Sequence, residues 1–144
     1  MTEVLALVRP DDWNLALFFH VLGAMVLVGA LVLAASSLAP NGAGSLRLGY
    51  RALLMAALPS WLVMRVAAQW VLDESGLDEE DTWVGIGFIT SELGLLLLIA
   101  ATVCAGLSVR RGDRPGLTRA AFILSCVLIV MYVVTIWAMT DKPT

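Results

Sequence analysis

Four long apolar stretches constrain the fold of this chain more than any other feature of its sequence. A helix that crosses a bilayer needs about 20 consecutive, mostly apolar residues, and such stretches run over residues 13–39, 50–72, 83–108 and 120–139. Of the 144 residues, 60% are hydrophobic and 15% are charged, whereas soluble domains average about 45–50% apolar and about 25% charged residues. The sequence therefore predicts an all-α fold, a four-transmembrane-helix antiparallel bundle that forms a single integral membrane domain over residues 1–144.

Composition and motifs exclude several classes of function. A net charge of −3 argues against a nucleic-acid-binding protein. Two cysteines, Cys104 and Cys126, are too few for a disulfide-rich secreted scaffold. The chain also contains no P-loop, GxSxG or HExxH motif. We therefore expect a membrane protein without evident catalytic machinery, and the sequence favours a protein that is not an enzyme.

The charges of the loops predict the orientation of the bundle. The loop between the second and third stretches, LDESGLDEEDTW, is strongly acidic and has no basic residue. Basic residues stay on the cytoplasmic side of a membrane, so both termini and this acidic loop are expected outside a bacterial plasma membrane. Tryptophans favour the headgroup level, and one lies at the outer end of each stretch: Trp13, Trp70, Trp83 and Trp137. The arginines expected on the inner side are Arg47, Arg51, Arg110, Arg111, Arg114 and Arg119.

Three ionisable residues lie within the apolar stretches, where each costs about 2.5–3.5 kcal/mol on insertion scales. At about 1.5 Å per residue, His20 lies about 10 Å, Arg65 about 9 Å and Glu92 about 14 Å from the outer helix ends. Three different helices thus place a titratable group in one layer of the outer leaflet. We predict a buried polar cluster in the bundle core, in which Arg65 pairs with Glu92. The other members of this cluster are His20, Gln69, Tyr132 and Thr135.

The predicted cluster has two interpretations. It is either a structural ion pair or an intramembrane binding or proton-transfer site. As a function we predict a self-associating protein or an accessory subunit of a larger membrane complex. One alternative is a proton-coupled carrier that uses Glu92 and Arg65. Another is a redox protein that binds a metal or haem b through His20, with Met64 or Met131 as the second axial ligand, or with one His20 from each chain of a dimer.

The first apolar stretch carries a family resemblance. The segment WNLALFFHVLGAMVLVGALVLA resembles the opening helix of small bacterial membrane proteins in the copper-resistance D-like group, and the ending YVVTIWAMTDKP looks like the last helix of actinobacterial membrane proteins. Some proteins of this group handle copper or haem, so the resemblance implies a ligand role for His20. This chain has no other histidine. The matching residues are Trp13, His20, Val21, Leu22, Gly23, Ala24 and Gly29.

Overall fold

The computed structural model describes residues 11–41, 44–75, 82–112 and 114–140. Its helices are α1 (Asp11–Leu38), α2 (Leu46–Arg51), a π-helical segment (Ala52–Ala57), α3 (Leu58–Ser75), α4 (Thr82–Arg111) and α5 (Pro115–Thr140). The prediction of an all-α fold is confirmed. Four helical stretches, residues 14–38, 46–74, 85–111 and 115–138, are long and apolar enough to cross a membrane.

Short-range signals in the sequence explain where several helices begin and end. Ser45 has an extended backbone and its hydroxyl accepts a hydrogen bond from the backbone N–H of Leu48, which caps α2. Gly112 follows α4 with a φ of +75°, a left-handed conformation that favours glycine. Pro115 then opens α5, where its missing N–H costs no helical hydrogen bond.

The second span is continuous but changes its helical register. Pro59 has no N–H to donate and therefore disrupts the helical hydrogen bonds of the preceding turn. The chain accommodates this loss with the π-helical segment, which ends where the N–H of Leu58 donates to the carbonyl of Leu53. The hydroxyl of Ser60 donates to the carbonyl of Ala56. The second span therefore consists of α2, the π-helical segment and α3.

The helices assemble unevenly along the bundle. Helix α1 packs along α3 and α5, and α4 packs along α5, whereas α3 has only a sparse contact with α4. Near the arginine-bearing loops the second and third spans are tight, because a Cβ on Gly106 would lie 2.9 Å from Cε2 of Tyr50. The two spans thus meet at one end of the bundle and separate toward the other.

The two ends of the bundle differ in charge, and we name them accordingly. The acidic end is where α1 and α4 begin and α3 and α5 end, and it includes the exposed residues Asp73 and Glu74. The opposite, basic end holds six arginines, all of them exposed: Arg47, Arg51, Arg110, Arg111, Arg114 and Arg119. Trp70 and Trp137 are exposed at the acidic end. The side chains of Trp13 and Trp83, and residues 76–81 of the acidic loop, lie outside the described residues.

The best-packed part of the core occupies the middle and the basic half of the bundle. Small residues of α1 and α4 are buried there, among them Ala30, Ala34, Ala101 and Ala105, so these surfaces pack within the chain. Leucines from all four spans complete this core with no exposed surface: Leu27, Leu31, Leu53, Leu98 and Leu128.

Candidate functional site

All four spans line one cavity in the acidic half of the bundle. Its volume is about 160 Å³, and its wall is mostly apolar. The cavity lies where α3 and α4 separate, so the divergence of these two helices creates the space. Four of the six residues that we predicted to form a cluster line it, namely His20, Arg65, Tyr132 and Thr135.

His20 reaches the cavity from α1 and is oriented by the neighbouring helix. Its Nδ1 lies 3.1 Å from the carbonyl oxygen of Met64. A carbonyl can only accept a hydrogen bond, so Nδ1 carries the proton and donates it. In the neutral ring, Nε2 is then left with its lone pair as an acceptor.

A close approach of α1 and α3 makes this hydrogen bond possible. Gly23, one turn after His20, lies so near α3 that an added Cβ would be 2.8 Å from the backbone nitrogen of Met64. Ala16, one turn before His20, has no exposed surface. The small residues that flank His20 therefore mark the packed face of α1, as the sequence predicts.

Two residues that line the cavity, Ser91 and Tyr132, carry hydroxyl groups that have no hydrogen-bond partner among the described residues. Ser91 and Tyr132 are 7% and 5% exposed, and both hydroxyl oxygens are buried and unpaired. The Tyr132 hydroxyl lies near the indole of Trp61, but that N–H is directed to the carbonyl of Ser91 at 3.1 Å. The same hydroxyl fits against α4 only because residue 94 is glycine, since a Cβ there would overlap it.

Arg65 lies at the boundary between the cavity and the outer surface of the bundle. Its Nε is 3.3 Å from Oε1 of Glu92 across the gap between α3 and α4. Its guanidinium also donates to Gln69 at 3.3 Å and lies 4.3 Å from the ring centroid of Phe88. Arg65 thus has partners on both helices, and it bridges the two spans where their backbones are apart.

The Arg65–Glu92 pair continues into a ladder of hydrogen bonds that leads to the acidic end. Gln69 accepts from Arg65 and donates to Asp73 at 3.2 Å. These three residues recur every fourth position of α3 and therefore share one face of that helix. The ladder connects a charged pair within the membrane segment to an exposed carboxylate at the acidic end.

Two of the predicted cluster residues differ from the expected placement. Glu92 was expected in the bundle core, but its side chain is 60% exposed, whereas that of Arg65 is 25% exposed. Glu92 and Gln69 are both absent from the described lining of the cavity. The reason is helix rotation, because Glu92 follows Ser91 directly and adjacent helix positions point about 100° apart. Thr135 does line the cavity, and its hydroxyl donates to the carbonyl of Met131 at 2.8 Å.

Sequence reasoning missed Ser91. A signal was present, because Thr90, Ser91 and Glu92 form a polar run inside an otherwise apolar stretch. The prediction named Glu92, the ionisable member of this run, although Thr90 and Ser91 are the members that line the cavity. Polarity alone does not report which of three consecutive residues points inward, since they cover most of a helical turn.

The structure also describes the surroundings of His20 as a possible ligand of a metal or of haem. The described residues contain no group of three or more His, Cys, Asp or Glu side chains that could hold a metal ion. Met64 lines the cavity beside His20, but Met131 is not part of its described lining. A cavity of about 150 Å³ accepts a molecule the size of benzene, and the cavity beside His20 has a similar volume.

Comparisons with protein-family models, with curated proteins and with solved structures find no match to this chain.

Proposed function

We propose that this chain is a small multi-pass protein of a bacterial plasma membrane, without catalytic machinery, that binds a small and mostly apolar molecule inside its bundle. The observation behind this proposal is the cavity of about 160 Å³ to which all four spans contribute. Binding sites for small molecules are concave and mostly apolar, with a few placed polar groups, and they occur between the helices of bundles. The cavity has these properties.

The packing of the basic half favours binding over transport. Below the cavity, fully buried leucines from all four spans close the bundle, namely Leu31, Leu53, Leu98 and Leu128. A proton-coupled carrier based on Glu92 and Arg65 needs access from both sides of the membrane in turn. Both residues lie in the acidic half, and Glu92 is on the outer surface of the bundle rather than in its cavity.

A second candidate function is assembly with a further copy or with a larger membrane complex, and the exposure of Glu92 favours it. Its side chain is 60% exposed within a membrane-spanning helix, although ionisable residues in such helices almost always face the bundle interior or a water-filled cavity. Contact with another protein would shield this carboxylate from lipid.

If Glu92 contacts another protein, Glu92→Gln should change the mass of the detergent-solubilised particle measured by light scattering, whereas Gln69→Leu should not.

The ligand-binding proposal predicts that filling the cavity abolishes stabilisation by a small apolar probe. Ala68 lines the cavity, whereas Val66 on the same helix is 60% exposed and faces away from the core. Toluene should raise the unfolding midpoint of the purified wild-type protein and of Val66→Leu, because a ligand that binds only the folded state stabilises it. It should have no such effect on Ala68→Leu. Equal responses of all three proteins would show that toluene acts through the detergent, and would contradict the proposal.

A further inference from the structure

We infer that the basic end of the bundle carries a binding site for the headgroup phosphate of an anionic phospholipid, formed by Arg47 and Arg51 of α2 and by Arg110 of α4. This site is separate from the cavity, so the inference does not rest on the proposed binding function. Its basis is the position of three exposed arginines beside one contact between the second and third spans.

The contact between Tyr50 and Gly106 aligns the arginines of the two helices. A Cβ on Gly106 would lie 2.9 Å from Cε2 of Tyr50, so α2 and α4 approach closely at this level. Toward the basic end, Arg47 lies three residues from Tyr50 and Arg110 lies four residues from Gly106. At about 1.5 Å per residue, these separations are about 4.5 Å and about 6 Å, so both arginines stand at nearly the same height on neighbouring helices. Arg51 follows Arg47 by four positions and therefore shares its face of α2.

The three guanidinium groups need a counter-charge that the described residues do not supply. None of them has a hydrogen bond or an ion pair with another described residue, and the acidic side chains that the structure describes, Asp73, Glu74 and Glu92, all lie in the acidic half. Arg51 is about 7.5 Å inside the second span, counted from Leu46. Ionisable residues in membrane-spanning helices usually pair, and arginine binds phosphate through several N–H donors at once. A phosphate therefore fits this site.

The apolar residues around the arginines favour a phospholipid over a soluble anion. Leu54 and Met55 follow α2 directly and are 40% and 72% exposed, and Leu48, next to Arg47, is 43% exposed. All three belong to the second membrane-spanning stretch. When the arginines hold a headgroup phosphate, the acyl chains of the same molecule pass along these apolar side chains toward the middle of the bilayer. A soluble anion uses the arginines alone.

The net charge of the basic end favours an anionic lipid over a zwitterionic one. Six exposed arginines gather there, and no acidic side chain that the structure describes accompanies them. Clusters of about 4–8 basic residues at a membrane surface attract anionic lipids, and basic pockets between membrane helices bind their headgroups. A zwitterionic lipid brings its own ammonium group to this surface, and the arginines repel that group.

Two double variants that remove equal charge from the basic end test the site. Arg47→Gln combined with Arg51→Gln alters it, whereas Arg114→Gln combined with Arg119→Gln is the matched control at the start of α5. The full-length protein is placed in mixed micelles that contain phosphatidylglycerol or phosphatidylcholine with the same acyl chains. The midpoint of unfolding, followed against lipid content, yields an apparent dissociation constant for each lipid.

We expect phosphatidylglycerol to bind the wild-type protein more tightly than phosphatidylcholine. Arg47→Gln with Arg51→Gln should weaken phosphatidylglycerol binding on the order of tenfold, since two basic residues near a membrane surface contribute about this much. The control pair should weaken it clearly less. In phosphatidylcholine all three proteins should unfold at the same midpoint, because the substituted side chains are exposed.

A single variant on the other helix keeps the test decisive if the first double variant does not fold. Arg110→Gln should weaken phosphatidylglycerol binding more than Arg119→Gln does. Equal weakening by the site and control variants would mean that the charge of the whole end attracts the lipid, and the inference would be overturned. Equal affinity of the wild-type protein for the two lipids, or equal stabilisation by inorganic phosphate, would overturn it as well.

Discussion

At the scale of single residues, two glycines allow the site to form because they have no side chain. Gly23 lets α1 approach the backbone of α3 at Met64, which brings His20 within hydrogen-bonding distance of the Met64 carbonyl. Gly94 leaves room on α4 for the hydroxyl of Tyr132. The polar side chains of the cavity thus depend on neighbours without side chains, because helix packing leaves little free space where backbones meet.

Gly23→Ala should therefore destabilise the protein, whereas Gly29→Ala should not. A Cβ at position 23 would meet backbone atoms of Met64, but at position 29 it would meet nothing within 4 Å. Overpacking costs about 1–3 kcal/mol, while alanine in an open helical position is about 0.5–1 kcal/mol more favourable than glycine. Unfolding of both variants by a denaturing detergent measures the difference. Equal midpoints for the two variants would show that α1 and α3 are not in close contact at Gly23.

At the scale of helices, the separation of the second and third spans defines the site. The π-helical segment and Pro59 lie in the second span between its tight contact with α4 at Tyr50 and its looser course toward the acidic end. Side chains of α3 reach across to α4 there: Arg65 pairs with Glu92, and the indole of Trp61 donates to the backbone carbonyl of Ser91.

If Arg65 and Glu92 hold the two spans together, their substitutions should not be additive. Arg65→Met and Glu92→Gln should each lower the unfolding midpoint, and the double variant should lose less than the sum. We expect a coupling of about 0.5–3 kcal/mol, the range for residues in one ion-pair network. Glu92→Gln combined with Arg119→Met at the basic end is the matched control and should be additive. Additivity in both pairs would mean that Arg65 and Glu92 do not stabilise each other.

At the scale of the whole molecule, the charge difference between the two ends predicts its orientation in the membrane. Six exposed arginines lie at the basic end, and exposed Asp73 and Glu74 lie at the acidic end. Because basic residues remain in the cytoplasm, the cavity should lie in the outer leaflet. A ligand that enters from the outer side would then reach it without crossing the leucine-packed half of the bundle.

Single cysteines introduced at Ser75 and Asn41 should label oppositely in intact cells, in a background where Cys104 and Cys126 are alanine. Ser75 ends α3 at the acidic end, and Asn41 is an exposed turn residue at the basic end. An impermeant thiol reagent should modify the cysteine at position 75, and that at position 41 only after the cells are opened. The opposite pattern would place the cavity in the cytoplasmic leaflet. Asn41 is preferred to Gly112, where a φ of +75° would strain any other residue.

The sequence by itself determined the number of spans, their helical nature, the charge difference between the ends and the shared depth of His20, Arg65 and Glu92. These properties follow from the length of apolar stretches and the positions of charges along one chain, and they need no knowledge of neighbouring helices. The cluster of His20, Arg65, Tyr132 and Thr135 could be proposed from depth and from the small residues around His20, and these four side chains do line one cavity.

Only the tertiary structure decided how each helix is rotated about its axis. Rotation places Ser91 in the cavity wall and leaves Glu92, the next residue, 60% exposed on the bundle surface. In a soluble bundle a polar stripe would reveal the outer face of each helix. Here large apolar side chains cover the outer surface as well, Met25, Ile89 and Val130 among them. Lipid tails are as apolar as the protein core, so residues facing either one look alike in the sequence.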